Sequence, residues 1–165
     1  MKTRLLLVLS FLIVTQLHSQ SVRPNLFAEY AGKWKGTFYV YSPDGKLLNK
    51  LEAEHSYRIS DPYTLEGTQT VRYPDGSIER IQAKDYVQNG KLYCRVESDR
   101  SGVKILEGKM EGNQIFWWRH QKDVTESFRE RVINGGRLYA IDGYGIYGAD
   151  HTKVYTFFAE YRRIQ

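Results

Sequence analysis

Turn signals recur along this chain at short, regular intervals, and the residues between them alternate. Pro43-Asp44-Gly45 and Pro74-Asp75-Gly76 are the same tripeptide, and Asn89-Gly90, Gly112-Asn113 and Asn134-Gly135-Gly136 continue the series. Such groups supply the positive φ angles that tight hairpins require. After the first of them, Leu47 to Ile59 places Leu51, Ala53, His55, Tyr57 and Ile59 on one face and Lys50, Glu52, Glu54, Ser56 and Arg58 on the other. That is the pattern of an antiparallel strand with one buried face. Tyr63 to Tyr73 repeats it, with Leu65, Gly67, Gln69 and Val71 in register. The same reading predicts strands over Lys33–Ser42, Ile78–Val87, Lys91–Glu97, Val103–Met110, Gln114–His120, Val124–Val132, Arg137–Asp142 and Lys153–Arg163, about ten in all. The one helical candidate is a turn over Pro24–Tyr30, which Asn25 could cap. A meander of this length leaves two open edges unless it closes on itself, and closure removes them. The expected fold is therefore all-β, an up-and-down antiparallel barrel. A two-sheet sandwich is the alternative, but its crossing connections are longer than most of those here.

The first residues stand apart from this rhythm. Lys2 and Arg4 precede the apolar run Leu5–Val14, and a more polar stretch ends at Ser19. A basic head, a short apolar segment and a small residue at the scissile bond describe a secretory signal peptide, with cleavage expected after Ser19. The run falls short of the roughly 20 apolar residues that a membrane anchor needs. The reading assigns 1–19 to the signal and 20–165 to one domain, with a secreted or periplasmic location. The formal charge of +5 drops by two without the leader. No block of like charge marks a nucleic-acid arm, and no stable membrane insertion is expected. Cys94 is the single cysteine, so no internal disulfide can form, and a small buried hydrophobe is its ordinary role.

Trp34 stands between Gly32 and Gly36 at the head of the first strand, after Leu26, Phe27 and Tyr30. Gly32-Lys33-Trp34 in this position resembles the opening of lipocalins and of the wider calycin superfamily. The longer Gly-x-Trp-x-Gly form is similar to lipocalin-like bacterial proteins and nitrobindins. The resemblance implies that the N-terminal turn and the indole close one end of the barrel, with a basic residue near the end of the last strand packed over the ring. Arg162 and Arg163 occupy that place. A guanidinium over the indole would gain about 0.5–2 kcal/mol.

Ligand contacts are sought on the faces that would look inward. His55 lies on the apolar face of its strand, Gln69 shares the face of the next, and Trp117 belongs to the most aromatic segment, Ile115–His120. Trp118 beside it must then face outward, either covered locally or offering a surface to a protein partner. In Val124–Val132 one face carries Glu126, Phe128 and Glu130, and the other Thr125, Ser127, Arg129 and Arg131. If the arginine face is internal, Arg129 and Arg131 could hold a carboxylate, and Tyr161 with Arg163 offers a reversed counterpart of the Arg-x-Tyr of fatty-acid-binding proteins. Gly143 to Gly148 interleaves glycines with Tyr144 and Tyr147 and reads as a flexible flap over the barrel mouth.

No spacing of His55, His120 and His151 forms a metal site, and no nucleophile–base set is concentrated anywhere. The nitrobindin likeness raises haem as an alternative, with His151 the nearest residue in order, but its neighbours have no counterpart in that family. The reading assigns no cofactor and no enzyme activity. The expected function is binding of a small, mostly apolar or amphipathic molecule with one acidic or polar end, a carboxylate being one option. A filled barrel serving as a protein-interaction module is the alternative, and isomerase-type chemistry a further one.

Overall fold

A computed structural model describes residues 26–164; the expected signal peptide falls outside them. Ten strands follow one another: β1 (Gly32–Tyr41), β2 (Leu47–Asp61), β3 (Thr64–Arg72), β4 (Ile78–Gln88), β5 (Lys91–Ser98), β6 (Gly102–Glu111), β7 (Gln114–Gln121), β8 (Val124–Ile133), β9 (Leu138–Tyr147) and β10 (Lys153–Ile164). Each pairs antiparallel with its neighbours in sequence, and β1 pairs with β10, so the sheet closes into a barrel. The sandwich alternative is excluded.

The Pro-Asp-Gly turns act as the sequence implies. Ser42 N donates to Lys46 O at 3.0 Å, Tyr73 N donates to Ser77 O at 2.9 Å, and Asp75 accepts from Ser77 N at 2.9 Å. Of Pro24–Tyr30, expected to be helical, Pro24 and the capping Asn25 lie outside the described residues; the rest forms one hydrogen-bonded turn in which Phe27 O accepts from Tyr30 N and Ala31 N. This turn stoppers one end. Phe27, Tyr30 and Trp34 are all buried, Trp34 Nε1 donates to Tyr30 O at 2.9 Å, and Tyr30 Oη donates to the main-chain oxygens of Asn113 and Glu130.

Both glycines flanking Trp34 have a steric cause. Trp34 stands opposite Arg163 in the β1–β10 register. Gly32 has φ +129, and a Cβ there would strike the Arg163 guanidinium. A Cβ on Gly36 would fall on the Glu160 carbonyl oxygen, so the seam closes only because both side chains are missing. Arg163 lies over the indole, 4.1 Å from the ring centroid. Its three nitrogens donate to Gly136 O at 2.7 Å, Ala31 O at 2.6 Å and Glu29 O at 2.8 Å. Arg162, grouped with it on sequence grounds, takes no part: it projects outward and meets Glu160 at 3.7 Å with an 81% exposed side chain.

The outer wall is not uniform. Across β1–β5 it is a charged sleeve, with Lys35 on Glu54, Arg58 and Lys84 on Glu66, and Arg95 on Glu97. Trp118, Tyr144 and Phe158 are the large rings left exposed on β7, β9 and β10. Among the described residues no helix is long and apolar enough to cross a membrane.

Replacing Arg163 by Met removes one cation–π contact and three charged hydrogen bonds, a loss of about 2 kcal/mol at a partly exposed site. Arg162→Met removes only an exposed pair and changes stability by less than about 0.5 kcal/mol. Urea unfolding of the two variants measures the contrast.

Candidate functional site

Above the plug the barrel is hollow. A cavity of about 340 Å³ opens at the opposite end and runs down to an aromatic floor. Tyr57, Cys94, Phe128 and Glu130 point inward yet keep accessible surface; that surface belongs to the cavity and not to the exterior. This volume weighs against the alternative of a filled barrel.

The floor is built from residues that the closure brings together. Tyr139 packs against Trp34 at 5.5 Å and Tyr161 at 5.6 Å, and His55 stacks on Tyr161 at 4.4 Å. Gln69 Nε2 donates to Tyr57 Oη at 2.6 Å, and the Tyr57 hydroxyl lies 3.3 Å from His55 Nδ1. Burial pushes the imidazole down to about 3, so His55 is neutral at physiological pH and serves as a hydrogen-bonding ring. Trp117 lies over Gly108, where a Cβ would meet its ring carbons at 2.4 and 2.5 Å.

Four carboxyls and one lysine line the cavity: Glu79, Asp85, Glu126 and Glu130 against Lys104. The two acids toward the mouth are satisfied. Glu79 accepts from Tyr73 Oη at 2.6 Å and from Ser98 Oγ. Glu126 accepts from Tyr147 Oη at 2.6 Å and from Arg119, with Nε at 3.0 Å and Nη2 at 2.9 Å. The two deep acids have no cation partner among the described residues. Burial, with the nearby Glu130 charge added to it, raises Asp85 to about 8, against the pull of the Cys94 thiol. Burial raises Glu130 to about 7, against the pull of the Tyr139 hydroxyl and the Trp117 indole. Trp117 Nε1 is buried without a hydrogen-bond partner. Burial, followed by the neighbouring Asp85, also holds the Cys94 thiol well above its ordinary value, so it is a protonated donor and not a nucleophile.

The sequence-derived candidates divide cleanly. His55, Gln69, Trp117, Tyr147 and Tyr161 line the cavity. Arg129 and Arg131 do not: both lie on the outer wall, Arg129 forked onto Asp142 at 3.0–3.1 Å and Arg131 on the same carboxylate at 2.6 Å. The register explains the phase of β8, since Phe128 stands opposite Trp117 and Gly143 on the inner face. Tyr144 also faces outward, 43% exposed. The expected flap is strand β9. A Cβ on Gly143 would collide with the main chain of Ser127 and Phe128, and Gly145 lies beneath the Tyr147 ring. These glycines serve close approach, the other reason for glycine inside a strand. Sequence reasoning set out the Glu126–Glu130 face but missed Asp85, Glu79 and Cys94. Alternation of Ala83, Asp85 and Val87 opposite Lys84 and Tyr86 was the available signal.

Haem does not fit these residues. His151 sits in the exposed loop before β10 with φ 55, away from the cavity lining, and His55 is engaged at the floor. Among the described residues no three His, Cys, Asp or Glu side chains gather as a metal site.

No protein-family model matches the sequence, and no curated protein sequence does. Solved structures share the architecture. The Rv2717c protein of M. tuberculosis superposes with a TM-score of 0.61 at 16% identity, covering 87% of this chain and 99% of that one. The S-type phycobiliprotein lyase CPES from Guillardia theta gives 0.57 at 8% identity, covering 84% and 90%. At such identities the likeness is one of fold alone, a closed antiparallel β-barrel.

Asp85 and Glu130 bind protons more tightly folded than unfolded, so the free barrel is favoured fully below about pH 4 and progressively less as pH rises toward 7–8. Asp85→Asn therefore raises the melting temperature at pH 8.5, by about 5 °C, with little change at pH 4. Differential scanning fluorimetry across this range checks the slope.

Proposed function

We propose that this protein is an exported binder of a small amphipathic molecule, which enters the open end of the barrel and rests on the floor formed by Tyr57, Tyr139 and Tyr161. The observation that carries the reading is the cavity itself. Its volume of about 340 Å³ lies at the small end of the range for organic ligands, and rings with a few convergent polar groups are the usual lining of such sites. A solid core would have been the cheaper way to stabilise a barrel, because every void forfeits packing. The apolar part of the ligand meets Phe38, Val96, Leu106 and Phe128. A carboxylate end, one option from sequence, does not suit an interior holding four carboxyls and one lysine. Export rests on the basic head and apolar run of residues 1–19.

Acid–base catalysis is the second reading. Two carboxyls that titrate near neutrality inside a cavity favour it. It differs in requiring a ligand that leaves chemically changed.

A naphthalene dye whose emission responds to polarity tests the binding reading. The unmodified protein should bind it at micromolar concentration. Val96→Trp, which fills the lumen, should weaken that binding about tenfold or more. Val103→Trp, at a 51% exposed position, should leave it unchanged. Equal binding by both variants would show that the dye sits outside the barrel.

A further inference from the structure

The four interior carboxyls are not equivalent. Glu79 and Glu126 are matched by hydroxyls and by Arg119. Asp85, deeper in the barrel with Glu130, feels the Glu130 charge, and among the described residues no cation offsets the two acids. The groups around them come from every side: Cys94 on β5 toward Asp85, Tyr139 on β9 and Trp117 on β7 toward Glu130, and the phenols of Tyr30, Tyr57 and Tyr161 beyond. His55 on the floor is neutral. Lys104, the one lysine of the lining, stands near the mouth, two residues from the start of β6. Buried acids without a counter-charge are costly, and a native interior seldom keeps two of them in one cavity. The Trp117 indole N–H, buried in the same wall beside Glu130 and completing no hydrogen bond among the described residues, favours with the Tyr139 hydroxyl the charged form of that carboxyl. Aromatic rings and carboxylates together are the chemistry that holds ammonium groups, through cation–π attraction and charge-assisted hydrogen bonds.

We propose that the ligand of this cavity carries a protonated amine, held deep in the barrel between the carboxyls of Asp85 and Glu130 and among the rings of Tyr57, Trp117, Tyr139 and Tyr161. The inference rests on the cavity being a small-molecule site. An ammonium between the two acids supplies the missing counter-charge, while the ligand's apolar body lies toward Phe128 and Phe38. Both acids are largely protonated in the free barrel below pH 7, so binding the amine expels protons, and its affinity rises as pH increases through 7–8.

Three probes of nearly one shape separate the possibilities: 1-naphthylmethylamine, 1-naphthylmethanol and 1-naphthylacetate. Calorimetry on the full-length mature protein at pH 8 should show the amine binding about tenfold or more tighter than the alcohol, with the acetate weakest. The double variant Asp85→Asn, Glu130→Gln should lose the amine's advantage and keep the alcohol's affinity, which also shows that it has folded. On unmodified protein the amine should bind about tenfold weaker at pH 5 than at pH 8, with the alcohol flat. Alcohol binding without preference for the amine, or a preference that survives the double substitution, overturns the amine assignment and leaves the binding cavity standing. If none of the three binds, the cavity reading falls and this inference with it.

Discussion

Everything in this molecule depends on the antiparallel seam between β1 and β10. It turns an open meander into a closed wall, removes the two edges, and defines an inside. Backbone pairing alone does not secure it. Trp34 and Arg163 face each other across the register, and the guanidinium reaches three main-chain oxygens in two separate segments. One side chain thus joins the N-terminal turn, the β8–β9 loop and the last strand. The glycines at 32 and 36 are the steric condition for that junction.

The closed wall creates an interior whose polarity runs in an unusual direction. Small barrels ordinarily fill with aliphatic side chains, and here the lumen holds four carboxyls, a histidine and several phenols. Near the mouth the acids are met by hydroxyls and by Arg119. Toward the floor no cation among the described residues meets them, and the deep acids shift toward their protonated forms as a result. Stability and cavity chemistry therefore pull against each other at Asp85 and Glu130, which is common where a protein keeps a site rather than a packed core.

The strand pattern was legible because turns and alternation report two independent physical facts, backbone geometry and burial. The β2 face of Leu51 to Tyr57 followed from them, whereas the plug of Trp34 under a C-terminal arginine followed from the resemblance of the Gly32-Lys33-Trp34 opening to that of lipocalins. The phase of β8 did not. Its two faces carry comparable mixtures, charged and apolar on one side, cationic and polar on the other, so only the partners across the sheet decide which turns inward. Gly143 and Gly145 misled for a related reason: a glycine signals freedom when read alone, and contact when a neighbouring ring needs the space. Asp85 was passed over because a lone acid in an alternating strand looks like solvent-facing charge until the sheet closes around it.

The pairing of the two strands farthest apart in sequence also governs the order of assembly. Hairpins from β2 to β9 need only local contacts, whereas the seam joins segments more than a hundred residues apart and waits for the last strand. Until then Asp85 and Glu130 remain hydrated and fully ionised at neutral pH. Closure of the wall is what takes these acids out of bulk water.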